Sequence, residues 1–355
     1  MLGYCTNVHS GDSFDDVIYN LKTFTWNIQQ NLQKPLGVGL WLSDSASREV
    51  DTSQLCDVLQ KHNLHVFTLN GFPFSNFHQK VIKHKVYKPN WSEESRLAYT
   101  VRLARILAAI TNQDVAGIST LPLGWKDDSF TNEDCVRKLN CCIDALEEIE
   151  QQTSKCIHLD IETEPGCRLQ RSKELCDFFE EQFGDSERAR RYIRVCHDTC
   201  HAAVMRESAD ACVANYKNVG LLIGKVQISS AIEFELGLNA NTSFIADEHT
   251  YLHQSSVQLK DGIQYFDDFS NIPDEIKSGS CRVHFHVPIH LKSFGELQTT
   301  QHDLLESIPI LKEAGVTQWE IETYTWNVTP TTLQKGELVA SITEELAWAS
   351  NQLSQ

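Results

Sequence analysis

The sequence has no run of about 18 apolar residues, so no membrane-spanning helix is expected. Its first residues, Met1 to Gly11, carry neither a basic start nor a long apolar stretch, so no signal peptide is expected and the expected location is the cytoplasm. Basic residues are scarce. With 31 Lys and Arg against 48 Asp and Glu, the net charge of -17 repels a phosphate backbone, and nucleic acid is not an expected partner. The twelve cysteines are scattered, and Cys141-Cys142 and Cys196-x3-Cys200 lack a second CxxC half, which speaks against a structural zinc. A chain of 355 residues needs no disulfide staples, so packed, reduced thiols are expected. No linker, short repeat or low-complexity segment interrupts the pattern.

What is present is an alternation of short β-branched or apolar runs with segments of helical period, the mark of a parallel α/β fold. The strands expected are Leu2 to Val8, Leu36 to Leu42, His65 to Leu69, Val115 to Leu121, Cys156 to Ile161, Ile193 to Cys196, Leu221 to Ile228 and Thr317 to Ile321. Eight is the number a closed (β/α)8 TIM barrel needs. Phe14, Val17, Ile18, Leu21, Phe24, Ile28 and Leu32 make a stripe one helix face wide. Ser92 and Thr131 suit the N-caps of two further helices, and Gly336 to Leu353 reads as a closing amphipathic helix. The expected organisation is one barrel domain over 1–355, with extended loops after the third and seventh strands.

Functional side chains of such a barrel stand at the carboxyl ends of its strands. Each apolar run here turns polar at that point: Asn7-Val8-His9, Asn70-Gly71-Phe72-Pro73-Phe74, Glu162-Thr163-Glu164-Pro165, His197-Asp198-Thr199-Cys200-His201, Gln227-Ile228-Ser229-Ser230 and Glu320-Ile321-Glu322-Thr323, with His284-Phe285-His286 as a further segment. Carboxylates and imidazoles converging on one cavity are suitable ligands for Zn, Mn or Fe. Glu162 and Glu164 point to one side if both are in a strand, as do Glu320 and Glu322, so one member of each pair can support the metal ligands from behind or act as a base. His62, His78, His84, His158 and His302 read as surface or core residues. The segment Lys80-x2-Lys83-His84-Lys85-x2-Lys88 reads first as a solvated face and second as a site for a substrate phosphate or carboxylate. Trp125 and Trp319 read as packing residues, and Trp326 as packing or cavity lining.

These residues resemble the xylose-isomerase-like TIM-barrel superfamily, which includes sugar isomerases, epimerases and zinc endonucleases. Glu162-Thr163-Glu164-Pro165 resembles its metal-binding glutamate motif, Asp198 and His201 its sixth-strand pair, His286-Val287-Pro288 the loop before its last strand, and Glu322 its terminal glutamate ligand. The chain is more closely similar to the EboE-type metabolite-traffic proteins of bacterial ebo gene clusters, through Asn70-Gly71-Phe72-Pro73-Phe74 to Phe77-His78, Val86-Tyr87-x-Pro89-x-Trp91, Tyr251-Leu252-His253-Gln254 and Glu322-Thr323-Tyr324-Thr325-Trp326. The resemblance implies one divalent ion held by Glu162, Asp198, His201 or His286, and Glu322. Gln227 stands where the superfamily commonly has a metal-binding histidine, which argues against a multinuclear zinc cluster and against the endonuclease activity.

The expected function is metal-dependent isomerisation or epimerisation of a polyhydroxylated or enolisable metabolite in secondary metabolism, with partners from the same gene cluster. Glu164 or Glu320 shuttles the proton, and Gln227, Ser229, His284, Trp326 and His9 line the substrate site. The alternative is a barrel that keeps its cavity but only binds a metabolite or partner.

Overall fold

The computed structural model describes residues 1–76, 81–237, 241–330, 334 and 336–355. Its parallel strands are β1 (Leu2–Cys5), β2 (Leu36–Trp41), β3 (Leu64–Asn70), β4 (Val115–Thr120), β5 (Cys156–Glu162), β6 (Ile193–Asp198) and β7 (Ile223–Ile228), and after an inserted stretch the last one (Trp319–Ile321) pairs with both β1 and β7. The ring closes with eight strands, as the alternation predicts. Strand ends differ in detail. The first expected strand stops at Cys5, because Thr6–Val8 tightens into a 3-10 turn.

Helices between the strands cover the barrel. The stripe from Phe14 to Leu32 forms one continuous helical stretch that relaxes into a π-turn at Leu21–Thr25. Thr131 caps its helix by accepting from Asp134 N, as expected. Ser92 does not cap the helix Glu94–Ile110: its hydroxyl donates to Asn90 Oδ1, and Glu93 occupies the cap position.

The barrel interior is layered and polar. Residues two apart on one strand face the same way, so β5 sends His158, Asp160 and Glu162 inward in ascending order. His158 Nδ1 meets Asp160 Oδ1 at 2.7 Å. Room for such groups comes from glycine: a Cβ at Gly224 would lie 1.8 Å from Asp160 Oδ1, and one at Gly39 would lie 1.4 Å from Glu320 Oε1.

No strand between Ile228 and Thr317 is among those expected from the sequence, yet this stretch forms a second, antiparallel sheet. Its strands are β8 (Ile232–Leu236), β9 (Ser255–Leu259), β10 (Gly262–Phe266), β11 (Gly279–Val283), β12 (Ser293–Phe294) and β13 (Leu297–Thr299), so the closing barrel strand is β14. The sheet has its own apolar cluster, with Ile232, Val257, Cys281, Val283 and Phe285 fully buried. Short strands with one exposed face carry little apolar signal, and β10 is almost wholly exposed. Among the described residues no helix is long and apolar enough to cross a membrane.

Candidate functional site

At the carboxyl end of the barrel lies a cavity lined by strand ends and by loops above them. Its floor is made by strand ends: Asn7, Asn70, Glu162, Gln227 and Glu322 line it, with Glu164 and His201 beside them. Asp198 stands immediately behind. Glu162, Asp198 and Glu322 each bring a carboxylate oxygen within 4.8 Å of the others, and Asp198 forms a second such group with His201 and His286.

Asp198 and His201 are set by local structure. Asp198 is the N-cap of the helix Thr199–Val204, so its Oδ1 accepts from Cys200 N and His201 N and from Ser229 Oγ. His201 therefore projects from the helix's first turn. Asp198 Oδ2 is buried without a hydrogen-bond partner and is left to face the ligand set.

Three imidazoles meet above it. His201 Nδ1 faces the carbonyl of Thr163 (2.9 Å), His286 Nδ1 that of Glu322 (3.0 Å), and His284 Nδ1 the Oε1 of Gln254 (2.8 Å). The orientation of Gln254 is fixed, because its Nε2 donates to Glu164 Oε1, Tyr87 OH and the carbonyl of Pro165. Each ring therefore carries its proton on Nδ1 when neutral, and each Nε2 is a lone pair. His284 Nε2 lies 3.2 Å from His201 Nε2 and 3.1 Å from His286 Nε2. Lone pairs so placed repel unless a proton or a metal ion stands between them.

The electrostatics agree. Burial raises Glu162 well above the usual carboxylate range, with the charge of Glu322 adding to it. Burial, together with Asp198 and Glu320, pushes Glu322 up to about 8. Burial opposes charge on His201, but Asp198, Glu164, Glu162 and Glu322 overcome it and hold the imidazole up at about 9. Burial keeps His286 at about 4 and His284 well below its ordinary value, so both rings are neutral. A field that binds a proton so firmly at His201 favours any cation. The donor set thus fits a divalent metal.

Glu164 is held differently. Its Oε1 accepts from Tyr87 OH (2.9 Å) and from Gln254, while Oε2 lies 3.0 Å from His201 Nε2. Gln227 lines the cavity, with its Oε1 accepting from Cys196 Sγ at 3.0 Å. His284 lines it as well.

Other expected site residues stand elsewhere. Glu320 lies one layer below the floor, bound to Lys225 and Asn70, and is not brought into the cavity. Ser229 serves Asp198 rather than the cavity wall. His9 stacks on Phe24 with ring centroids 4.6 Å apart, outside this cavity, and Trp326 packs in the main apolar core. Phe77, His78 and Lys80 lie outside the described residues. His158 is a core residue, and the side chain of His302 is 55% exposed. Tyr87, Gln254 and Lys225 carry no role in the sequence reading. Lys225 had a signal, being a lysine two residues before Gln227 within an apolar run; Gln254 had none beyond its place in a family-like stretch.

No protein-family profile matches the sequence, and no curated protein matches it. Solved structures do. A zinc-bound IolI protein aligns over 99% of this chain and 98% of its own, with 9% identity and a TM-score of 0.54. The fold is that of the xylose-isomerase-like TIM barrels. A xylose isomerase domain protein from Alicyclobacillus acidocaldarius covers 100% of this chain and 99% of its own at 10% identity and TM-score 0.54. A D-allulose 3-epimerase from Methylomonas sp. covers 99% and 96% at 12% identity and TM-score 0.52. At such identities the likeness defines the barrel, and the site must be argued from its own atoms.

Proposed function

We propose that this protein is a metal-dependent enzyme that moves a proton on an enolisable, oxygenated small molecule, in an isomerase- or epimerase-like reaction. The supporting observation is the meeting of three imidazole Nε2 atoms and the unpartnered Asp198 Oδ2 at a cavity floor that also carries Glu162 and Glu322. Glu162, Asp198 and Glu322, with His201 or His286, would hold one divalent ion, Zn, Mn or Fe. When bound, such an ion polarises a carbonyl and its neighbouring hydroxyl and so acidifies the adjoining C–H.

Glu164 is the base in this reading. Tyr87 and Gln254 fix its Oε1, its Oε2 lies beside His201 Nε2, and burial raises its pKa, the direction that suits a carboxylate to take and return a proton. Glu320 is left out of the role, because Lys225 and Asn70 already hold both of its oxygens. Gln227 binds a substrate hydroxyl through its NH2 group. The epimerase and the zinc-bound protein among structures of this fold act in the same direction as the argument. A role in secondary-metabolite biosynthesis or traffic, in the cytoplasm and with partners from one gene cluster, rests on the EboE-like stretches and belongs to the same proposal.

The test is metal analysis of protein purified without chelator, followed by incubation with α-hydroxy ketones in D2O and proton NMR. The expected result is about one equivalent of metal and deuterium uptake at the carbon beside the carbonyl, lost on chelation and in Glu164→Gln. Metal well below one equivalent would overturn the reading in favour of a binding barrel.

A further inference from the structure

The cavity has two halves of opposite character. Its floor is polar and comes from the barrel strands. Above the floor, the loop after β3 contributes Phe72, Pro73, Ile82 and Val86, and the loop before β9 contributes Tyr251 and Leu252. The two loops are joined over the cavity by backbone: Ile82 N and Lys83 N both donate to the carbonyl of Thr250, at 2.8 and 2.9 Å. The apolar wall is therefore built by paired segments.

We infer that the ligand carries an aromatic ring on its oxygenated head, so that the substrate class is an aryl-bearing hydroxy-carbonyl compound rather than a free or phosphorylated sugar. The inference rests on the reading of the floor given above. A free sugar presents hydroxyls along its whole length, and each one buried needs a partner. The upper wall offers mostly carbon; of its tyrosine hydroxyls, that of Tyr87 is committed to Glu164 and Gln254, and that of Tyr324 lies 3.4 Å from His284 Nε2. A phosphate needs a cation. Apart from His201 on the floor, the only cationic side chain among the described lining residues is Lys83, which is paired with Asp268 at 2.8 Å, and none is an arginine.

A ring has what it needs. Tyr251 and Tyr324 meet edge to face with centroids 5.2 Å apart, Phe72 and Tyr87 do so at 6.1 Å, and another ring extends such packing.

The experiment is calorimetric titration of the metal-loaded protein with dihydroxyacetone, 2-hydroxyacetophenone and acetophenone. The ring-bearing hydroxy ketone is expected to bind at least about tenfold more tightly than dihydroxyacetone. That margin should shrink in Leu252→Ala and in Val86→Ala, with metal content and circular dichroism unchanged. Equal or tighter binding of dihydroxyacetone, or a margin untouched in both folded variants, would overturn the inference and leave the proton-transfer reading standing. Acetophenone binding as tightly as 2-hydroxyacetophenone would leave the ring standing and overturn the hydroxy-carbonyl head. Binding of none of the three overturns both.

Discussion

Lys225 Nζ lies 2.5 Å from Glu320 Oε2, and neither side chain has any contact with solvent. Asn70 completes the unit, donating to Glu320 Oε1 at 2.7 Å and accepting from Lys225 at 2.6 Å. Burial alone lowers a lysine's pKa, but the charge of Glu320 more than reverses this, so Lys225 stays charged. The pair puts a fixed cation under a floor of carboxylates.

Removing one member leaves the other charge buried and alone. Lys225→Met should lower the free energy of unfolding by about 3–5 kcal/mol, while the double variant Lys225→Met, Glu320→Leu should recover much of it. Denaturant melts of the three proteins check this. A single variant as stable as the wild type would mean that Glu320 is protonated and the pair is not ionic.

His201→Ala should weaken metal binding by at least about tenfold, and His286→Ala by a similar factor, since each Nε2 faces the shared focus. Competition with a chelating dye gives the affinities. Unchanged binding in the first variant removes His201 from the site.

Gln227→His separates two roles for one position. If Gln227 hydrogen-bonds a substrate hydroxyl, the variant gains little metal and binds hydroxy ketones more weakly. If the position is a lapsed ligand site, metal affinity or stoichiometry rises instead. We expect the first, because Gln227 Oε1 already accepts from Cys196 and its NH2 remains for the cavity it lines. Parallel titrations with metal and with ligand decide it, and identical behaviour of both proteins would place Gln227 outside the site.

Glu345, on the helix Leu338–Ser354, carries a pH prediction. Its Oε2 accepts from Thr323 Oγ1 and Ile289 N, its Oε1 has no partner, and burial pushes it from 4.5 up to about 7. A carboxyl raised on folding favours the native state in its protonated form. That contribution is full below about pH 4.5 and is lost as pH rises through about 7, amounting to about 3 kcal/mol. Glu345→Gln should therefore remove a fall in stability between about pH 5 and 8. Unfolding curves at several pH values test this, and parallel curves for both proteins would refute it.

The barrel was legible because its strands are buried on both faces and six of the eight end in a polar switch. Glu162, Glu164, Asp198 and Glu322 sit at such switches, and a closed ring of eight brings them together wherever their helices lie. The imidazole focus was only half legible. His284 meets Gln254 across the inserted sheet, where Ser255 pairs with Val283, and a contact set by antiparallel register leaves no mark on local spacing. Glu320 and Glu322 illustrate the other limit. Periodicity gives them one face, but only depth separates an anchored interior charge from a residue at the cavity.

The three-histidine focus draws on both sheets. Glu162, Asp198 and Glu322 stand on or beside barrel strands, whereas His284 and His286 arrive just after β11. A cation between them acts as a rivet through two separately built plates. Demetallation should then register far from the ion, as faster amide exchange along β9 and β11, while the barrel strands opposite it keep their protection.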